Sequence, residues 1–143
     1  LLSNPELSGQ LTKVHQFVIM SAPTAAQYAA IEALEHGMPD IAGMCKEYEA
    51  RRNLICARLN RMGLTTNVPN GTFYVFANIT SSGLSSDEFC VRLLEEQKVA
   101  IVPGTAFGES GEGFVRISYA TSMEDIKEAC ARIDAFLETL HND

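Results

Sequence analysis

The order of elements predicts an α+β fold, a two-layer α/β sandwich in which a small, mostly antiparallel sheet is covered by helices. A long helical rod of the kind that bridges domains precedes it. Three observations predict this. Short runs rich in β-branched and aromatic residues fall at 72–77, 99–102 and from Phe114, each flanked by glycine or proline. Apolar residues at helical spacing occupy the stretches from 24, 86 and 122 onward. The resulting order, α-α-β-α-β-β-α, leaves a few strands whose apolar faces only helices can cover.

Residues 1–22 read as a connecting segment, in which Pro5, Gly9 and the run Leu11 to Met20 suit either a short helix or a strand. Residues 23–63 read as a helix pair. Thr24 is the expected N-cap of the first helix and Gly37 its expected stop. Asp40 is expected to cap the second, with Ile41, Met44, Cys45, Tyr48, Ile55, Leu59 and Met62 at helical spacing before Gly63 ends it. Such a rod is expected to expose apolar surface and favour self-association when nothing covers it. Residues 64–143 carry the sheet. Asn70–Gly71 is a turn signature, because Asn-Gly readily supplies positive φ. The strand at 72–77 is apolar on both faces, so it is expected at the sheet centre, covered on both sides. Ser85 and Glu88 fit a capping box for a helix bearing Phe89, Cys90, Leu93 and Leu94. Val99 to Val102 form a short strand ended by Pro103 and Gly104, and a glycine-rich loop runs from Ala106 to Gly113. Thr121 and Glu124 fit a second capping box, opening a helix with Ile126, Cys130, Ile133, Leu137 and Leu140 on one face.

A chain of 143 residues suffices for one domain burying roughly two-thirds of its unfolded surface. Eleven Lys and Arg against 18 Asp and Glu give a net charge of −7, which argues against nucleic acid and anionic membrane surfaces as partners. No apolar run approaches the ~20 residues of a membrane span. Cys45, Cys56, Cys90 and Cys130 lack C-x-x-C spacing and sit in apolar helical text. Reduced core cysteines, and with them a cytoplasmic setting, are the expectation. The chain opens on Leu1, and Leu-Leu-Ser-Asn-Pro reads as the exit from an element already under way, so a piece of a longer polypeptide is expected.

The chemistry concentrates in one residue. Phe-Val-Arg-Ile-Ser-Tyr, residues 114–119, has the composition of a largely buried strand, yet it carries Arg116. Period-two alternation puts Phe114, Arg116 and Ser118 on one face and Val115, Ile117 and Tyr119 on the other. A buried guanidinium is costly without an anion, and its planar fork fits a carboxylate bidentately. That anion is either an internal acid such as Glu112 or a ligand. The remaining candidates read as structural. His15, His36 and His141 share no ligand spacing, Lys46, Lys98 and Lys127 fall on polar surfaces, and Ser21, Ser118 and Ser122 lack a nucleophile context. The acids lie on helix surfaces or first turns and form no metal constellation. Gly104, Gly108, Gly111 and Gly113 precede a strand, which fits neither a dinucleotide fingerprint nor a P-loop.

These residues together carry a resemblance. Asn-Gly-Thr-Phe-Tyr-Val-Phe at 70–76, Val-Pro-Gly-Thr-Ala-Phe-Gly at 102–108 and Val-Arg-Ile-Ser-Tyr-Ala at 115–120 resemble the signatures of class I/II, fold-type I aminotransferases. Pro23 to Gln27 and the Ala-rich helix after it resemble the start of that family's interdomain helix. The resemblance implies that Arg116 binds the α-carboxylate of an amino-acid substrate and its 2-oxo-acid partner, with Phe107 near the entrance and Tyr74 beside it. It implies pyridoxal 5'-phosphate as the cofactor of the full-length parent, not expected to be bound by this fragment. The cofactor's lysine, its pyridine-nitrogen acid and its phosphate cradle belong to a large domain that would precede this region. Residues 64–143 would then be the small C-terminal domain of a cytoplasmic homodimer, and the fragment alone is expected to be inactive. Three alternatives stay open: a C–S lyase of the same fold, the ligand-sensing domain of a transcription regulator, and a free-standing module with Arg116 in a structural ion pair.

Overall fold

Proline and asparagine decide the first element, which the sequence left between helix and strand. In the computed structural model, which describes residues 4–142 and side chains up to Leu140, helix α1 spans Pro5–Val18. Asn4 Oδ1 accepts from the Leu7 amide at 2.8 Å, and Pro5 takes the first helical position, where its missing N–H costs nothing. Leu1, read above as part of an exit from a preceding element, and the His141 side chain lie outside the described residues. Helix α2 spans Thr24–His36, with Pro23 at the N-cap, so Thr24 lies one residue inside the helix and caps nothing. Gly37 stops α2 with right-handed rather than left-handed geometry, and its glycine character answers a steric demand instead. A Cβ there would press on the Ala33 carbonyl. Helix α3 follows at once over Met38–Arg61, placing Asp40 in its first turn, not at its cap.

The chain divides into two units, Leu1–Gly43 and Met44–Asp143. In the first, none of the described residues is buried. The second holds the core. Ile55, Cys56 and Leu59 from α3 join Val75, Ala77, Val115, Ile117 and Tyr119, with Phe89 and Leu93 on one helix and Ile126, Cys130, Ile133 and Phe136 on another. Phe89 and Phe136 meet edge to face at 5.3 Å, and each contributes about 1.5–3 kcal/mol through burial. Of the four cysteines, three are buried, but Cys45 is exposed.

The sheet has three strands among the described residues: β1 (Tyr74–Asn78), β2 (Val102–Pro103) and β3 (Phe114–Ser118), in the order β1-β3-β2 and antiparallel throughout. β1 is therefore an edge strand, not the centre, and the face carrying Phe76 stays open within this chain. β3 takes the centre. Its register pairs Arg116 with Phe76 on one side and Val102 on the other. The positive φ before β1 belongs to Thr72, at 68°, rather than to the Asn-Gly turn. The Tyr119 hydroxyl donates to the Thr72 carbonyl at 2.8 Å and holds that turn. Helix α4 (Ser86–Gln97) starts as expected on Ser85, which accepts from the Glu88 amide, though Leu94 of its expected stripe is exposed. Helix α5 (Met123–Asn142) starts one residue later than expected. Ser122, not Thr121, accepts the Asp125 amide, while the Thr121 hydroxyl donates to the Asp125 carboxylate.

Candidate functional site

Two elements and one loop converge on Arg116. Alternation along β3 buries Val115 and Ile117 and leaves Arg116 half-buried on the opposite face, with Phe114. Tyr74, on β1, lies diagonally across that face, and its ring centroid is 4.2 Å from the Arg116 Cζ. Phe107 comes from the loop between β2 and β3, and its centroid is 4.4 Å from the same atom. The two rings make no contact with each other among the described residues.

The loop that carries Phe107 is tied to the start of α4. Glu112 accepts from the Ser86 amide at 2.9 Å, which puts its carboxylate at the positive end of the α4 dipole. The fully buried Ser86 hydroxyl accepts from the Gly113 amide, and Thr105 donates to Asp87. Gly104 and Gly111 pass so closely that a Cβ on either would collide with the carbonyl of the other. Glu112 is thereby engaged at α4 and does not pair with Arg116. No carboxylate among the described residues lies within 4.0 Å of this guanidinium.

Arg116, Tyr74 and Phe107 line one cleft of about 880 Å³. Its far wall is the segment after α3. Asn60 binds the Thr66 backbone in both directions, and Thr66 Oγ1 in turn donates to the Phe76 carbonyl at 2.7 Å, which seals the β1 edge. Asn60, Thr66 and Pro69 carried no signal in the sequence, because their nearness to Arg116 arises from tertiary pairing. Phe76 and Phe114 could have been found, since alternation alone puts them on the faces of Tyr74 and Arg116. The lining holds one charged residue, Arg116, and no lysine. The other residues weighed from the sequence stay apart from it: His36 pairs with Glu32 on α2, Lys98 donates to the Glu95 carbonyl, and Ser122 caps α5. No cluster of metal-ligating side chains forms among the described residues, and no helix is long and apolar enough to cross a membrane.

Comparison with known proteins decides the family. The family model for aminotransferase class I and II matches residues 1–133. The chain belongs to this family. An aspartate aminotransferase of Pyrococcus horikoshii is 47% identical over 132 residues, which cover 90% of this chain and 34% of that protein. Aromatic-amino-acid aminotransferase 2 of Thermococcus litoralis is 50% identical over 117 residues, covering 80% and 30%. Among solved structures, the aspartate aminotransferase of Thermotoga maritima superposes with a TM-score of 0.85 at 39% identity, covering 96% of this chain and 34% of that one. The chain thus spans about a third of the length of the aminotransferases it matches. The α+β class expected from the sequence is the class the helices and the three-stranded antiparallel sheet form.

Proposed function

We propose that the Arg116 cleft binds the α-carboxylate of an amino acid and of the matching 2-oxo acid. In this reading the chain supplies that clamp to an aminotransferase, and Tyr74 and Phe107 line the entrance. One observation carries it: a half-buried guanidinium flanked by two aromatic rings, with no acidic partner among the described residues. Its N–H edge is free for a bidentate anion. Relatives named for aspartate and for aromatic amino acids support amino-acid and 2-oxo-acid pairs as the ligand class.

Pyridoxal phosphate is the cofactor expected of the parent. It requires an amine for its aldehyde and a cradle of donors for its phosphate. The cleft lining offers no amine, and Lys13, Lys46, Lys98 and Lys127 are all exposed outside it. The described residues do not fit the cofactor, so the proposal assigns them carboxylate binding alone. The parent is proposed as a cytoplasmic homodimer whose remaining region holds the cofactor and moves the proton.

Mixed with pyridoxal phosphate, the chain alone is expected to show neither the absorbance of lysine-bound cofactor nor turnover. Joined to the amino-terminal part of the Pyrococcus horikoshii relative, it is expected to exchange amino groups between amino acids and 2-oxo acids. Arg116→Ala is then expected to lower kcat/KM by roughly 10- to 150-fold, the worth of hydrogen bonds to a charged group. Turnover by the chain alone, or a joined protein indifferent to Arg116→Ala, contradicts the proposal.

A further inference from the structure

Arg116 is held differently from four other arginines of the chain. Arg51, Arg52, Arg92 and Arg132 each reach a glutamate at 3.0, 3.2, 2.8 and 2.9 Å. Arg116 reaches none among the described residues, and instead has two aromatic rings centred 4.2 and 4.4 Å from its Cζ. The difference has a chemical consequence. A carboxylate partner occupies the in-plane N–H edge of a guanidinium, the same edge a carboxylate ligand needs. An aromatic face stabilises the same charge through its quadrupole from above or below the plane, and leaves that edge open.

Both rings are themselves braced. Tyr74 packs on Phe73 at 4.4 Å between centroids, and Phe73 lies 6.3 Å from Tyr48 of α3. Phe107 meets Phe76 edge to face at 5.6 Å, and its loop is tied to α4 through Glu112, Ser86 and Asp87. The Tyr74 hydroxyl makes no hydrogen bond among the described residues, so the ring face is what this residue contributes. From this geometry we infer that Tyr74 and Phe107 are positioning residues: they fix the Arg116 guanidinium in one plane and stand in for a counter-ion, so that its fork stays open to a carboxylate. The inference rests on the reading of the cleft as a carboxylate site and adds to it how the site is kept ready.

The test measures affinity for pyruvate and phenylpyruvate in the full chain and in Tyr74→Leu, Phe107→Leu, Tyr74→Phe, Phe107→Tyr and Arg116→Ala variants. Circular dichroism checks that each variant folds. Each leucine variant is expected to lose roughly 2- to 30-fold in affinity, the range of one cation–π contact. The loss is expected to be equal for the two ligands, and the aromatic-for-aromatic variants are expected to bind as the parent chain does. If Arg116→Ala abolishes binding while both leucine variants bind normally, the inference falls and the carboxylate site stands. A loss confined to phenylpyruvate also overturns it, because the rings then touch the ligand rather than hold the arginine. If the parent chain binds neither ligand, the site reading fails and the arginine itself decides the inference. Guanidinium ¹⁵N signals of the ligand-free chain should show slow rotation that becomes fast in the leucine variants, and unchanged signals overturn it.

Discussion

An arginine on a strand needs an anion or a substitute for one, and at the residue scale that rule located the site. Arg116 was legible because charge inside a β-branched run is costly. Its surroundings were not. Glu112 is only four positions away in sequence, yet its carboxylate is taken up by the Ser86 amide. Tyr74 and Phe107 were legible only through resemblance, since strand pairing and a folded-back loop bring them to Arg116. The cysteines give this scale its pH dependence. Burial, and secondarily the Asp87 charge, push the Cys90 thiol up from 9.0 to about 11. A folded-state value above the unfolded one means the unfolded chain releases this proton first as pH rises. The Cys90 contribution is therefore intact below pH 9 and lost between about 9 and 11. Urea midpoints measured from pH 7 to 11 are expected to fall in that window, and Cys90→Ala is expected to flatten that part of the fall. An unchanged slope in the variant contradicts the assignment.

Helices α4 and α5 were legible at the element scale because cap chemistry and apolar stripes agree in both. The last cap was misplaced by one residue, and the reason is physical. Thr121 and Ser122 both offer a hydroxyl, and Thr121 uses its own on the Asp125 side chain, leaving Ser122 to take the Asp125 amide. Together they hold the Asp125 carboxyl below its ordinary range, Ser122 more than Thr121. Ser122→Ala is expected to destabilise the chain by about 1 kcal/mol, and Thr121→Ala by less, in thermal or urea unfolding. The reverse order would restore the cap to Thr121. β1 was misjudged for a different reason. Its two apolar faces suggested a strand covered on both sides, but Phe76 faces the cleft at 43% exposure. Apolarity there serves the site as well as the core.

For the whole molecule, the two units differ in what their sequences can bury. Met44–Asp143 closes a core of its own. Leu1–Gly43 holds α1 and α2 but leaves Phe17 at 93% and Leu34 at 82% exposure. Helical spacing was readable there, whereas what those faces meet is not written in the spacing. The chain spans about a third of its aminotransferase relatives, and the cleft lining holds one guanidinium and no lysine. The property proposed for it is thus anion capture at one guanidinium. The most direct measurement follows the Arg116 Nε–H resonance in the ¹⁵N-labelled chain during titration with a 2-oxo acid and with its uncharged methyl ester. A saturable shift with the acid, absent with the ester, is expected for a carboxylate clamp. No shift with either, or the same shift with both, contradicts it.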